Sequence, residues 1–580
     1  MHNARVPSAL ESNPTERRAR WTWAGSIEVT LLAVCLFWVV SANRLFFAAA
    51  LHGSPAGALG RAAFVLAVGS GLVALHYLLL APFAWRVTAK PLLALLLVAT
   101  AFASFFMQHF GVYLDPTMLR NTVNTDVHEA RELFSAAMLP HLLLYAVLPL
   151  LLLWRVRFVR RRWARALLVR LGSMGLALLV LVAAVMSVFQ PLASLMRNHK
   201  ELRYLITPAN YIWSLAAVSG LGTHHASGPK KAIGLDAAPG PSWAVQTRPR
   251  VVVLVVGETA RAANWGLNGY ARQTTPELAQ LAAQTTLINF SDVSSCGTNT
   301  ETSLPCMFAP VGRRDYDENT IRGSQSLLQV LARAGVAVRW RDNQSGCKGV
   351  CDGLPFENTV DLNPPGLCSD GRCLDAALLS GLDAQLSGAK GTQLLVLHTL
   401  GNHGPSYFRR YPPAFAKFQP ACENDDLRQC TQAQITNAYD NALLYTDHVL
   451  ATLVQTLQAH AAAVDSAMIY VSDHGESLGE NGLYLHGLPY AIAPDVQKHV
   501  PMVMWLSPGF TADAGIDLAC LKLRAAQPAS HDNLFHTLLD LLDVRTSLYA
   551  PDWDLLRGCK RAVPASAAAS SASAASTAPR

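Results

Sequence analysis

Four short apolar runs in the second half of the chain end in side chains that ligate, donate or attack. Residues 251–256 lead into Gly257-Glu258-Thr259, and residues 336–340 into Arg341-Asp342-Asn343-Gln344-Ser345-Gly346-Cys347-Lys348. Residues 394–397 lead into His398 and then Asn402-His403-Gly404-Pro405, and residues 467–471 into Ser472-Asp473-His474-Gly475-Glu476. Asp473 and His474, with Glu258 and with His486 twelve residues further on, form a carboxylate and imidazole set. Mixed oxygen and nitrogen donors suit zinc, with manganese as the alternative. Between Cys296 and Cys306 a glycine is followed by Thr298, Thr300, Thr302 and Ser303. A hydroxyl held against a metal ion loses its proton near neutrality and becomes a nucleophile. If a helix starts in that segment, its N–H groups also favour a transferring phosphate. Residue types alone do not choose among the four hydroxyls.

The elements that must position these groups are short β-rich runs alternating with helical patterns, the signature of a parallel sheet with crossover helices. In such sheets ligands bind at the carboxyl ends of the strands, which is where all four runs discharge their polar groups. Ten of the eleven cysteines follow residue 290. Pairing sequence neighbours gives Cys296 with Cys306, Cys347 with Cys351, Cys368 with Cys373 and Cys422 with Cys430, leaving Cys520 and Cys559. The spacings do not repeat the paired C-x₂-C pattern of zinc modules, so the ten read as disulfides in an oxidising compartment. Cys35 falls in an apolar run and reads as a packing residue.

The first 200 residues belong to another solvent. Of 580 residues 51% are hydrophobic and 15% charged, where soluble domains average roughly 25% charged, and a disordered chain would be poorer still in apolar residues. Five stretches are long enough to span a bilayer as helices, at residues 29–51, 62–85, 91–112, 136–154 and 171–196. The last four carry no Lys, Arg, Asp or Glu. The first is too long for a signal-peptide core and stays attached. Arg17, Arg18 and Arg20 precede the first stretch, and seven arginines from Arg155 to Arg170 lie around the junction of the fourth and fifth. The N-terminus is therefore expected in the cytoplasm and everything after about residue 197 outside. This anchoring accounts for much of the +7 formal charge and calls for no nucleic-acid partner. In the outer loop 113–134, Asn121, Thr125 and Glu129 recur at i, i+4 and i+8, which would place them on one face of a helix. The expected division is a transmembrane domain at 1–200, a bridging amphipathic helix and linker at 201–249, a catalytic domain at 250–560 and a disordered Ala/Ser tail at 561–580.

The motifs Gly257-Glu258-Thr259-Ala260-Arg261, Cys296-Gly297-Thr298-Asn299-Thr300, Asn402-His403-Gly404-Pro405 and Ser472-Asp473-His474-Gly475-Glu476-Ser477-Leu478-Gly479-Glu480-Asn481-Gly482 resemble those of the lipid A phosphoethanolamine transferases, which include the mobile colistin-resistance enzymes. The likeness extends in order from the first span to about residue 560. It implies an inner-membrane anchor of five helices and a periplasmic α/β/α domain of the alkaline phosphatase/sulfatase type. By that resemblance the nucleophile is Thr300, and the zinc ligands are Glu258, Thr300, Asp473 and His474. Asn121, Thr125, Glu129, Ser345, Lys348, His403 and His486 are the implied donor-head-group or second-metal positions, with one catalytic zinc and, as the open alternative, a second near His403 and His486. His486 thereby moves from the first metal shell, where spacing put it, to a substrate role. The implied reaction moves phosphoethanolamine from phosphatidylethanolamine to lipid A through a phosphoethanolamine–threonine intermediate, in a monomeric enzyme whose product resists polymyxins. The competing readings are transfer to another glycan such as core heptose, glycerol-phosphate transfer, and a non-catalytic membrane sensor. A sulfatase would need a C-x-P-x-R nucleophile motif, which the sequence lacks.

Overall fold

The computed structural model describes residues 22–52, 57–125, 127–219 and 230–560, with backbone alone at 127–129. The N-terminal arginines 17, 18 and 20, part of the expected linker and the Ala/Ser tail lie outside the described residues. The chain divides into two compact units, one of Met1–Leu119 with Ser135–Leu221 and one of Arg120–Phe134 with Gly222–Arg580.

In the first unit, four described helices are long and apolar enough to cross a membrane, or five if one bent pair counts as a single span. Their outward positions carry residues such as Leu66, Leu95, Leu151 and Leu179, exposed as a lipid-facing surface is. The bent pair is the first expected stretch, which is not one helix: Ile27–Ser41 and Arg44–Leu51 meet at 52°. Asn43 sits buried at the break, its amide donating to the carbonyls of Trp38 (3.0 Å) and Thr207 (2.7 Å) and its Oδ1 accepting from Thr207 N at 2.9 Å. The side chain thus supplies hydrogen bonds that a lipid solvent cannot. The fourth stretch, Met138–Arg155, contains a π-helical turn at Leu143–Val147 between Pro140 and Pro149. The fifth starts earlier than expected, running Trp163–Ser187 and breaking before a separate helix, Phe189–Asn198. Pro191 cannot bond back to the Ser187 carbonyl, and the break at Val188 moves it into a first turn, where a missing N–H costs little. Helix Ala209–Val218 buries Asn210 and Ser214 and exposes Trp213 and Leu215.

The second unit is built on a seven-stranded sheet: β1 Arg250–Gly257, β2 Leu287–Phe290, β3 Ala337–Asp342, β4 Phe356–Asn358, β5 Thr392–His398, β6 Asp465–Ser472 and β7 Met502–Leu506, in the order β2-β7-β6-β1-β5-β3-β4. The block from β6 to β4 is parallel, and β7 is antiparallel to both of its neighbours. β1 is buried along its whole length, as its unbroken valine-rich run requires of a central parallel strand. The main helices used below are α1 Thr300–Met307, α2 Leu327–Arg333, α3 Gln432–Ala459 and α4 Asp532–Leu541. Val252, Leu254 and Val256 of β1 share a core with Leu327, Leu328 and Leu331 of α2 and Leu534, Phe535 and Leu538 of α4. α3 packs against β6. The helix expected across Asn121, Thr125 and Glu129 is interrupted: Pro116–Asn124 ends, and Val127–Glu132 begins anew. Thr125 Oγ1 bonds back to the Asn121 carbonyl at 2.8 Å, a side-chain bond that competes with helix continuation.

Gly257 closes β1 where there is no room for a side chain. A Cβ there would lie 2.6 Å from the Tyr470 ring, which is stacked on Trp265 with centroids 5.6 Å apart. Gly257→Ala should therefore destabilise the chain by about 1–3 kcal/mol, read as a lower thermal midpoint of the detergent-solubilised protein.

Candidate metal and nucleophile site

β1 and β6 pair in parallel register with Gly257 opposite Ser472, and Asp473 N continues the ladder by donating to Gly257 O at 2.8 Å. The next residue of each strand, Glu258 and Asp473, therefore leaves the sheet beside the other, fully buried. His474 Nε2 lies 3.2 Å from Glu258 Oε1 and 3.4 Å from Asp473 Oδ2. One donor atom from each of these three residues falls within 4.8 Å of the others, and among the described residues no other group of three or more His, Cys, Asp or Glu does this. Neither Glu258 Oε1 nor Asp473 Oδ2 has a hydrogen-bond partner. His474 Nδ1 donates to Gly475 O at 2.9 Å, which turns Nε2 toward the two carboxylates. Buried, unpartnered oxygens facing an oriented imidazole are what a divalent metal ion would satisfy.

Thr300 is the first residue of α1. Asn299 caps the helix by accepting from Thr302 N at 2.9 Å, and the Cys296–Cys306 disulfide fastens the segment at both ends. Pro305 lies inside the helix and offers no N–H to the Glu301 carbonyl; the Arg322 guanidinium donates to that carbonyl instead. Of the four candidate hydroxyls, Thr298 donates to Leu488 O at 2.6 Å and Ser303 to Asp473 O, while Thr302 supplies the capped N–H. Thr300 Oγ1 donates to Glu258 Oε2 at 3.0 Å and lies 3.3 Å from His474 Nε2.

The electrostatics favour a cation at this point. Burial raises the Asp473 carboxyl, Glu258 adds to the rise, and the group is pushed up to about 6. Burial would also raise Glu258, but its close contact with the His474 imidazole and the nearby imidazoles of His403 and His486 hold it well below the usual carboxylate range. Burial would lower His474, yet Asp473 and Glu258 push it up to about 10. Two carboxylates against one imidazole leave excess negative charge in a dry pocket.

The remaining expected positions fall around this centre. The His486 ring is 4.4 Å from that of His474 and 5.3 Å from that of His403, so the three imidazoles stand in series with His486 in the middle. His486 is thus a neighbour of the three-ligand group and no member of it, and His403 and His486 join no second group of three among the described residues. Lys348 Nζ donates to Ser345 Oγ at 2.6 Å, and both line a cavity of about 530 Å³. Asn121 and Thr125 lie in the segment Arg120–Phe134, which belongs to the second unit with the sheet; the Glu129 side chain lies outside the described atoms. The ten outer cysteines form Cys296–Cys306, Cys347–Cys351, Cys368–Cys373, Cys422–Cys430 and Cys520–Cys559, and Cys35 is free and buried.

Several positioning residues escaped the sequence reading. Gln344 Nε2 donates to Glu258 Oε2 at 3.1 Å. Glu476 accepts from His486 Nδ1 at 2.8 Å and from the Tyr407 hydroxyl at 2.7 Å. His531 accepts from Cys296 N at 3.0 Å and donates to Ser472 O at 2.9 Å, linking the Cys296–Cys306 loop to β6. Gln344 and Glu476 lie inside the quoted motifs, so proximity to the ligands was a usable signal; His531 and Tyr407 had none.

A parallel sheet with a buried threonine and a metal-ready triad at its carboxyl edge defines a sulfatase-type α/β unit, here joined to several membrane-spanning helices. The family model described as Sulfatase matches residues 250–544, and that described as Phosphoethanolamine transferase EptA/EptB matches residues 72–220. Phosphoethanolamine transferase EptA of Salmonella typhimurium is 38% identical over 538 residues, covering 91% of this chain and 95% of that one. Phosphatidylethanolamine transferase Mcr-1 of Escherichia coli is 39% identical over 526 residues, covering 89% and 95%. The solved structure of the integral membrane protein lipooligosaccharide phosphoethanolamine transferase A (EptA) from Neisseria meningitidis superposes with a TM-score of 0.87 at 38% identity, covering 93% of this chain and all of that one. The chain belongs to the EptA/Mcr-type lipid A phosphoethanolamine transferase family of the alkaline phosphatase/sulfatase superfamily. It is a multi-pass inner-membrane protein with its catalytic unit in the periplasm.

Metal titration followed by elemental analysis tests the centre. His474→Ala should abolish tight divalent-metal binding, and Gln344→Ala should weaken it about 10-fold or more through loss of ligand orientation. His403→Ala and His486→Ala should leave the amount of tightly bound metal unchanged.

Proposed function

We propose that this chain transfers phosphoethanolamine from phosphatidylethanolamine to a phosphate of lipid A, with Thr300 as the covalent carrier and zinc held by Glu258, Thr300, Asp473 and His474. The carrying observation is the Thr300 hydroxyl, set on a buried carboxylate at 3.0 Å at the head of a helix. Its family supports the reaction class, since relatives named for phosphoethanolamine transfer match nearly end to end. The donor set of one imidazole nitrogen with carboxylate and hydroxyl oxygens, two of them otherwise unpartnered, fits zinc. When bound, zinc would supply a Lewis acid that lowers the hydroxyl pKa and offsets charge on the transferring phosphoryl group.

The protein's own groups divide the remaining work. Thr300 donates its proton along the bond to Glu258 Oε2, and Oγ1 forms the new bond to phosphorus as the bond from phosphorus to the glycerol oxygen breaks. The proton taken up by Glu258 passes to the glycerol oxygen, so diacylglycerol departs as the alcohol and leaves the ester on Thr300. An oxygen of the acceptor phosphate, in its singly protonated form, then attacks the same phosphorus, and its proton passes by way of Glu258 to Thr300 Oγ1 as that oxygen leaves. The N-terminal turn of α1 directs backbone N–H groups and the positive end of the helix dipole toward the phosphoryl oxygens. Lys348, supported by Ser345, adds positive charge, and His403 and His486 join Asn121, Thr125 and Glu129 in holding the head group. Glu476 fixes the His486 ring from behind. A single zinc suffices for this sequence, since among the described residues His403 and His486 join no second group of three ligands.

Capping lipid A phosphates with ethanolamine lowers surface negative charge and so weakens the attraction of polymyxin-like cations. A more distant relative, 28% identical, is named Kdo(2)-lipid A phosphoethanolamine 7''-transferase, so the acceptor is the open arm of the test. Full-length protein incubated with labelled phosphatidylethanolamine should carry the label on Thr300 by peptide mass spectrometry and pass it to lipid A. Thr300→Ala should lose adduct and transfer by at least about 1,000-fold. Undiminished transfer by that variant overturns the covalent route, and arrival of the label on a core sugar overturns the acceptor.

A further inference from the structure

A buried carboxylate outside the metal centre organises the wall of a second cavity. Glu132, in the segment Arg120–Phe134 of the second unit, presents its Oε2 to Arg410 Nη2 at 2.6 Å and its Oε1 to the Arg372 guanidinium. The Glu132 and Arg410 side chains are each 3% exposed. Arg410 also turns inward, its Nε donating to the His403 carbonyl at 2.7 Å. Arg372 stands in the small hairpin closed by Cys368–Cys373. One carboxylate therefore ties together three stretches that are far apart in sequence. Glu132, Arg372, Arg410, His403 and Ser345 all line a cavity of about 410 Å³.

The far side of the His403 turn is held independently. Asp375 accepts from Leu400 N and Gly401 N, each at 2.8 Å, and from the Asn343 amide at 2.7 Å. Gly401 has φ +53, and a Cβ there would lie 2.6 Å from the Glu258 carbonyl oxygen, so the turn runs directly against the strand end that carries a metal ligand. With residues 400 and 401 fixed by Asp375, the Arg410 bond to the His403 carbonyl fixes the other end. A buried ion bridge is a poor source of net stability, since apolar replacements often do as well. Two guanidiniums and a carboxylate at this place are better explained by the geometry they impose.

We propose that Glu132 is a positioning residue of the transfer reaction, holding the His403 turn and the Cys368–Cys373 hairpin as the wall of the donor head-group cavity through Arg410 and Arg372. The inference rests on the reading of His403 and Ser345 as head-group residues. It makes the segment joining the third and fourth spans a structural part of the head-group site through Glu132 as well as through Asn121, Thr125 and Glu129. Arginine is needed at 410 because its planar fork serves the carboxylate and the carbonyl at once, which an ammonium point charge does not.

The test uses the full-length chain in vesicles containing phosphatidylethanolamine, with E132Q, R410A and R410K compared with wild type. Thermal midpoint and bound metal are measured on each. Expected are a fall of about 10- to 100-fold in the rate of Thr300 adduct formation, a rise in the apparent KM for donor, and R410K as impaired as R410A, with bound metal unchanged. Hydrogen exchange should rise in residues 400–410 of E132Q while residues 473–474 stay protected. Wild-type adduct kinetics in E132Q, full rescue by R410K, or losses that merely track a lowered thermal midpoint and metal content overturn the proposal. Unchanged exchange at 400–410 overturns it regardless of chemistry, whereas absence of any adduct in wild type overturns the covalent-carrier reading and leaves the exchange result to decide this one.

Discussion

Two neighbouring parallel strands deliver two carboxylates, side by side and out of water, to the same point. Burying one charged carboxylate is costly, and burying two together more so. The arrangement is tolerable only because His474 lies between them and because a cation fits there. The surrounding devices keep that arrangement from relaxing: the glycine that lets Tyr470 close over β1, the amide of Gln344 on Glu258, the Ser303 hydroxyl on the Asp473 carbonyl, and the imidazole of His531 against β6. Thr300 is built onto this cluster from a third element, and its helix carries an internal proline because an arginine takes the carbonyl left over.

Much of the catalytic unit was legible because its signals are local. The valine-rich run 251–256 and the apolar runs before His398 and Asp473 read as strands, and they are β1, β5 and β6, each longer by one to three residues at its ends. β2, β4 and β7 were not anticipated. β2 and β4 are short edge strands, and β7 is recognisable only from its antiparallel partners. In the membrane unit hydropathy located the apolar stretches but not their breaks, since the bend at Asn43 is stabilised by Thr207, 164 residues away. Likewise the i, i+4, i+8 spacing of Asn121, Thr125 and Glu129 describes an ideal helix, and the chain interrupts it after Asn124 with a threonine side chain.

The candidate site divides along the same line. The candidate metal ligands and the candidate hydroxyl stand in dense motifs, so residue type and the resemblance to a known family drew them together. The groups that orient them reach across the fold: Gln344 to Glu258 over 86 positions, Cys296 to His531 over 235, Arg410 to Glu132 over 278. Such pairs leave no periodicity or composition in the sequence, and only three-dimensional register reveals them.

The disulfides have a consequence for how the outer unit is made. Every bridge joins cysteines adjacent in the cysteine order, with separations of 4 to 10 residues for four of them and 39 for the last. None encloses or crosses another. As the polypeptide emerges from the translocation channel, each thiol meets its mate before the following pair appears, so simple first-come oxidation yields the native set without reshuffling. The Cys296–Cys306 loop, which carries Thr300, is the first to be sealed, before the strand that brings Asp473 and His474 has been exported.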